Sequence, residues 1–189
     1  MEAMEAILTR RSIGKVKPDQ VPVEMIEQIL TAGIHAPNHR RTNPWRFFVM
    51  TGEGRNKLGK VLGEITRAEN EGLPAEEMAV KVDKSSKNPL RAPVVIAVGV
   101  EPSDKENVLL AEEHAAVNSA VQNMLLAAHS LGLGAVWRTG NICYHKKVAE
   151  FFGLSEKGEM LAFVYLGYPD MEPREANKPD INSFTTWID

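Results

Sequence analysis

Ala36-Pro37-Asn38-His39-Arg40-Arg41-Thr42-Asn43-Pro44-Trp45-Arg46-Phe47-Phe48 is the stretch whose reading decides this chain. Two prolines, a histidine, three arginines and a tryptophan stand directly before a strand-like run. A turn draws on Gly, Pro and Asx residues for its backbone angles, and three guanidinium groups add nothing to that task. The composition points to a loop that walls a polar, anion-tolerant pocket, roofed by the strand that follows. A second fragment, Arg10-Arg11-Ser12, ends the first helical pattern. Its guanidinium forks and hydroxyl match phosphate oxygens. Taken alone, such cations equally suit the dipole of a helix C-terminus. Beside the His39 loop they point to a phosphate-bearing, planar ligand.

Outward from these fragments, apolar periodicity predicts the elements. Residues 3–10 read as a short helix. A second helix starts at Pro22, carries Val23, Ile26, Ile29 and Leu30 as its stripe, and ends near His35, because the residue before Pro37 is biased away from the α region. Strands are expected at 46–51, 92–100, 135–138 and 161–166, and further helices at 55–66, 112–131 and 145–152. Gly52 and Gly54 read as punctuation, and Gly132 and Gly134 as a helix stop. Residues 67–90 are the undecided part, with 69–72 a loop and 76–84 a candidate helix over the pocket, suited to a mobile lid. Helix 112–131 is small and apolar nearly all round, which predicts burial on most sides, centrally or at a dimer interface. The tail from Tyr168 has little periodicity, yet it carries Phe184 and Trp187; an extended arm lying on a partner subunit would bury them. The order of elements is that of a single α+β domain, residues 1–189, with helices around a small sheet.

Bulk properties exclude several classes. The 189 residues are 43% hydrophobic and 25% charged, as in ordinary globular chains. No apolar run approaches the roughly 20 residues of a membrane span, and the acidic N-terminus lacks the order of a signal peptide. The single cysteine, Cys143, precludes an intrachain disulfide framework. A cytoplasmic protein is the expectation. Residues 1–60 hold 10 Lys and Arg against 6 Asp and Glu, and the remainder holds 12 against 19. The positive end coincides with the two fragments above, but it is too weak for a nucleic-acid footprint.

Dinucleotide and phosphate-loop fingerprints are absent: Gly52-Glu53-Gly54 has Lys57 where a third glycine belongs, and Gly132-Leu133-Gly134 ends a helix instead of opening one. His35 and His39 stand four apart, but Pro37 between them breaks the helix that a zinc pair would need. They read as ligand contacts or as surface and capping residues. Trp137-Arg138-Thr139-Gly140 follows a strand, and reads either as a ligand contact or as a buried tryptophan beside a solvated arginine. Cys143 has no activating neighbour in sequence and reads as a bystander. No metal site and no hydrolytic triad stand out.

In order and spacing, these pieces resemble the nitroreductase family of FMN-dependent oxidoreductases over nearly the whole chain. The resemblance is carried by Arg10-Arg11-Ser12, Val21-Pro22, Ile29-Leu30-Thr31-Ala32-Gly33, Ala36-Pro37, Pro44-Trp45-Arg46-Phe47, Leu131-Gly132-Leu133-Gly134, Trp137-Arg138-Thr139-Gly140 and Phe163-Val164-Tyr165-Leu166-Gly167-Tyr168-Pro169. The wording A-P-N-H and P-W-R-F-F is similar to a compact subfamily of short NAD(P)H nitroreductases. Where many members read A-P-S-x-x-N-x-Q-P-W, Asn38, Arg41 and Asn43 replace the serine, asparagine and glutamine.

The resemblance implies an α+β fold with a small, mainly antiparallel central sheet flanked by helices. It also implies a homodimer with an exchanged C-terminal arm and FMN at the subunit interface. Arg10 and Ser12 would hold the phosphate and ribityl chain, with Arg11 beside them. His35 and His39 would come from the other subunit, and Trp137, Arg138 and Thr139 would line the far side of the flavin. The implied chemistry is ping-pong: NAD(P)H reduces the flavin and leaves, and a small-molecule acceptor such as a nitroaromatic or quinone follows. FMN carries the reaction, and no side chain is expected as an essential acid or base.

Overall fold

The computed structural model describes residues 1–188. Its elements are α1 (Ala3–Thr9), α2 (Val23–Ile34), β1 (Trp45–Met50), α3 (Gly52–Glu69), α4 (Ala75–Lys87), a 3-10 turn (Asn88–Arg91), β2 (Val94–Val100), α5 (Leu110–Ser130), β3 (Gly134–Arg138), α6 (Asn141–Tyr144), α7 (Lys146–Phe151), β4 (Glu159–Gly167) and a second 3-10 turn (Ile181–Phe184). The four strands form one sheet in the order β1-β2-β4-β3, and every neighbouring pair is antiparallel.

Strand β2 explains the architecture. All seven of its residues are buried, although antiparallel strands commonly leave one face to water. Successive side chains point to opposite faces, and helices cover both. Val94, Ile96, Val98 and Val100 pack with Ile26 and Ile29 of α2 and with Val117, Val121 and Met124 of α5. Val95 and Ala97 join Leu58, Leu62 and Ile65 of α3 and Val148 of α7. The result is a sheet between two helical layers, which is why the run reads as continuously apolar. A bulge between Val98 and Gly99 skips Leu161 on β4. Helix α5 is buried along Ala116, Val117, Ala120, Val121, Met124, Leu125 and Ala128, while Ala115, Asn118 and Gln122 remain exposed.

The differences from the sequence reading are local. Gly52 and Gly54 lie in the first turn of α3, which runs to Glu69 rather than stopping near 66. Gly134 belongs to β3; α5 is closed by Gly132 alone, in a Schellman arrangement with Leu133 N–H donating to the Ala128 carbonyl at 2.9 Å. The undecided stretch contains α4, laid against α3 through Gly59 and Gly63, where an added Cβ would run into Ser86. The two helices form a packed pair, and Asn88, which opens the 3-10 turn after α4, lines a cavity. The helix α6 and both 3-10 turns were not expected.

One chain leaves much apolar surface in water. Met4, Ile7 and Leu8 of α1 are exposed, as are Phe184, at 76%, and Trp187, at 82%. No helix among the described residues is long and apolar enough to cross a membrane.

Candidate functional site

The segment after α1 is pinned to the edge of the sheet by its own backbone. Ile13 N–H donates to the Ala135 carbonyl at 3.0 Å, and Lys17 N–H to that of Tyr168 at 2.8 Å. Gly134 makes this approach possible: a Cβ there would stand 2.7 Å from Ile13 Cγ2. Gly134→Ala is therefore expected to push the 12–16 segment off β3 and to cost about 1–3 kcal/mol by overpacking, measurable as a lowered denaturation midpoint. The same docking brings Arg11, Ser12, Gly14 and Lys15 beside Arg91, Val136 and Arg174, around a hollow of about 490 Å³.

Four cations and a hydroxyl thus face one hollow, opposed by Glu175. Arg11 is held before any ligand arrives: its Nη1 donates to the carbonyls of Leu8 and Arg10, each at 2.8 Å, and its Nε to that of Arg174 at 3.1 Å. Lys15 shares its charge with Asp170 at 2.7 Å. That ammonium holds the Asp170 carboxyl below its ordinary range, by hydrogen bonding first and charge second. The arrangement suits a phosphate, whose oxygens accept from such donors.

A second cavity, of about 370 Å³, adjoins it; Val136 lines both. Trp137, Arg138, Thr139, Asn88, Tyr165 and Ile142 complete much of its wall. Trp137 Nε1 and Arg138 Nε are buried with no hydrogen-bond partner among the described residues. Such orphaned donors are rare and cost about 1–3 kcal/mol each. Arg138 also lies over the Tyr165 ring, 5.3 Å from its centroid, and its Nη2 would be 3.9 Å from a Cβ on Gly14. Arg138 therefore bridges the two spaces. Burial pushes the Tyr165 phenol up, while the charges of Arg138 and Arg91 pull the other way, so it stays protonated at neutral pH. A planar group with hydrogen-bond acceptors in this cavity, and a phosphate among the cations next to it, would fit the residues present.

The histidines lie elsewhere on the same chain. His35 lines a hollow shared with α1 and α5, and its Nδ1 is 2.8 Å from the Thr31 carbonyl oxygen. His39 lines a separate hollow with Pro37, Asn38, Glu112 and Ser119. The single chain thus brings Arg11, Ser12, Trp137, Arg138 and Thr139 to adjoining cavities, and does not bring His35 or His39 to them. Arg10 is half-buried and lies outside the cation hollow. The polar density of the Ala36–Phe48 stretch is partly spent on the loop itself. Asn38 Oδ1 accepts from Asn43 N–H at 2.8 Å, Thr42 donates to Glu113, and Arg46 donates to the carbonyls of Asn43 and Trp45. Arg40 and Arg41 stay exposed.

Sequence reasoning missed Lys15, Arg91, Arg174 and Tyr165. Arg11 and Arg174 are 163 positions apart, and only the fold joins them. Gly14-Lys15, close behind Arg10-Arg11-Ser12, was the one available cue. Cys143 is fully buried, and burial pushes its thiol up to about 12. It is expected to resist a thiol reagent in the native protein and to react once denaturant is added; rapid native labelling would contradict its buried place.

The family model "Nitroreductase family" matches residues 7–168. The Escherichia coli (strain K12) protein named "Putative NAD(P)H nitroreductase YdjA" is 33% identical over 189 residues, covering all of both chains. Among solved structures, a nitroreductase-like family protein from Bacillus cereus superposes with a TM-score of 0.85 at 26% identity, over 100% of this chain and 96% of that one. A Desulfovibrio desulfuricans protein described as a "putative nitroreductase in complex with fmn" gives 0.71 at 27% identity, over 98% and 96%. With its helix-covered antiparallel sheet and its cation hollow beside an edge strand, the chain belongs to the nitroreductase family.

Proposed function

We propose that this protein is an FMN-dependent NAD(P)H oxidoreductase working as a homodimer. The observation that carries the reading is the pair of adjoining cavities joined at Val136: one rich in cations, the other walled by Asn88, Arg138, Thr139 and Tyr165. The FMN described with the Desulfovibrio relative and the NAD(P)H in the name of the Escherichia relative are consistent with it.

Arg11, Ser12, Lys15, Arg91 and Arg174 would hold the phosphate, with Arg10 next to them in the chain. Trp137, Arg138 and Thr139 would meet the ring. The chemistry that FMN supplies when bound is two-electron hydride transfer from NAD(P)H to a nitroaromatic, quinone or similar acceptor, in alternating half-reactions. The chain's own share would be to bind, to orient and to provide positive potential; Arg138, half-buried over Tyr165, would offer a fixed positive charge to a flavin that becomes more negative on reduction. His35 and His39 would reach the flavin of the partner subunit. The exposed Met4, Ile7, Leu8, Phe184 and Trp187 support a second copy, since water-exposed apolar groups of this number mark a contact surface.

Titration of the FMN-free protein with FMN, followed by flavin fluorescence, tests the reading. Saturable binding with one FMN per chain, by a dimer in sedimentation, is expected. Absence of binding, or tight binding by a stable monomer, would contradict it.

A further inference from the structure

We infer that Glu112 is a positioning residue for His39: it fixes the imidazole with its proton on Nδ1 and leaves Nε2 as the atom offered to a ligand. The inference rests on the proposed function for what His39 meets. His39 Nδ1 and Glu112 Oε2 are 2.6 Å apart. A carboxylate only accepts, so Nδ1 must donate, whether the ring is neutral or charged. Nε2 has no hydrogen-bond partner among the described residues, and the pair stands at the edge of a hollow of about 420 Å³. A histidine whose one nitrogen is engaged in this way has its tautomer and ring orientation set by that bond.

Both side chains are partly exposed, 55% for His39 and 36% for Glu112, but the backbones that carry them are tied to each other. Glu113, the next residue of α5, is 1% exposed. It accepts from Thr42 and, at 3.2 Å, from Ser103 N–H. Thr42 in turn takes a hydrogen bond from Asn38 Nδ2 at 3.2 Å. On either side of Thr42, Arg41 and Asn43 hold φ of 52° and 51°, a left-handed conformation that asparagine tolerates and that for Arg41 persists only where the surroundings impose it. Turning the loop away would strip a buried carboxylate of one of its two donors, a costly change. Consecutive glutamates thus divide the work: Glu113 latches the loop to α5, and Glu112 sets the ring that the loop carries.

Nitrogen-15 NMR of histidine-labelled, FMN-free protein, in alkaline buffer where imidazole is neutral, reads the tautomer directly. The wild type is expected to hold His39 as Nδ1–H, and Glu112→Ala to move it to mainly Nε2–H, the form a free imidazole prefers. An Nε2–H wild type, or the same tautomer in both proteins, would overturn the inference. FMN affinity provides the second measurement. Glu112→Ala should weaken binding by about three- to tenfold when His39 is present and leave it unchanged in a His39→Ala background, as expected of coupled neighbours. An equal loss in both backgrounds would mean that Glu112 acts without His39, and would overturn its positioning role. Failure of every variant and of the wild type to bind FMN would sink the flavin reading instead, and the tautomer alone would then decide the Glu112–His39 pair.

Discussion

Arg11→Ala is expected to weaken FMN binding roughly 30-fold, or about 2 kcal/mol, the size of a lost charge-assisted hydrogen bond. Three backbone carbonyls hold the Arg11 guanidinium in place before a phosphate arrives, so little side-chain freedom remains to be lost on binding. The substitution also cuts the tie to the Arg174 carbonyl, which loosens a second cation of the same hollow. Arg11→Lys should lie between the two, because it keeps the charge and loses the fork. The readout is the dissociation constant at fixed ionic strength. The loss should shrink as salt rises, since the exposed part of the interaction is screened. An unchanged dissociation constant for Arg11→Ala would remove this hollow from the phosphate site.

A clear loss of stability is expected from Gly59→Ala. The new methyl group would overlap the Ser86 carbonyl oxygen, a backbone atom of α4 that no rotamer change can move. The helices must part, and overpacking of this kind costs about 1–3 kcal/mol. Alanine's better helix propensity returns at most about 1 kcal/mol. A net loss of about 1 kcal/mol or more should lower the melting temperature by at least roughly 2–4 °C for a chain of this size. Gly63→Ala is the control. Its obstacle is the Ser86 hydroxyl, the end of a side chain that can rotate away, so its melting temperature should stay within about 2 °C of wild type. Equal losses in the two variants would mean that the backbone contact does not set the spacing of α3 and α4.

That helix pair also shows where sequence reading stops. Strand β2 and helix α5 were legible because their burial is written in their own residues, as a continuous apolar run and a helical stripe. Helix α4 was legible only as a candidate at 76–84: Ser85 is its one buried residue, and its docking signal lies in two glycines of another helix. Gly52 and Gly54 misled, since a glycine's freedom does not say whether it is used. The site divides along similar lines. Arg11, Ser12, Trp137, Arg138 and Thr139, which line the adjoining cavities, could be singled out because they sit in short, distinctive strings. Arg91 and Arg174 carry no local signature and join the hollow only through the fold. Part of the polarity of the Ala36–Phe48 loop serves the loop itself, through hydrogen bonds such as Asn43 N–H to Asn38 and Thr42 to Glu113 that are invisible until the backbone is known.

The most direct test is anaerobic reduction of the FMN-loaded protein, followed through the flavin absorbance. The spectrum should bleach with one equivalent of NADH or NADPH, and it should return when a nitroaromatic or a quinone is added. Bound flavin that stays oxidised with both nicotinamide cofactors, or a protein that takes up no FMN, would contradict the account.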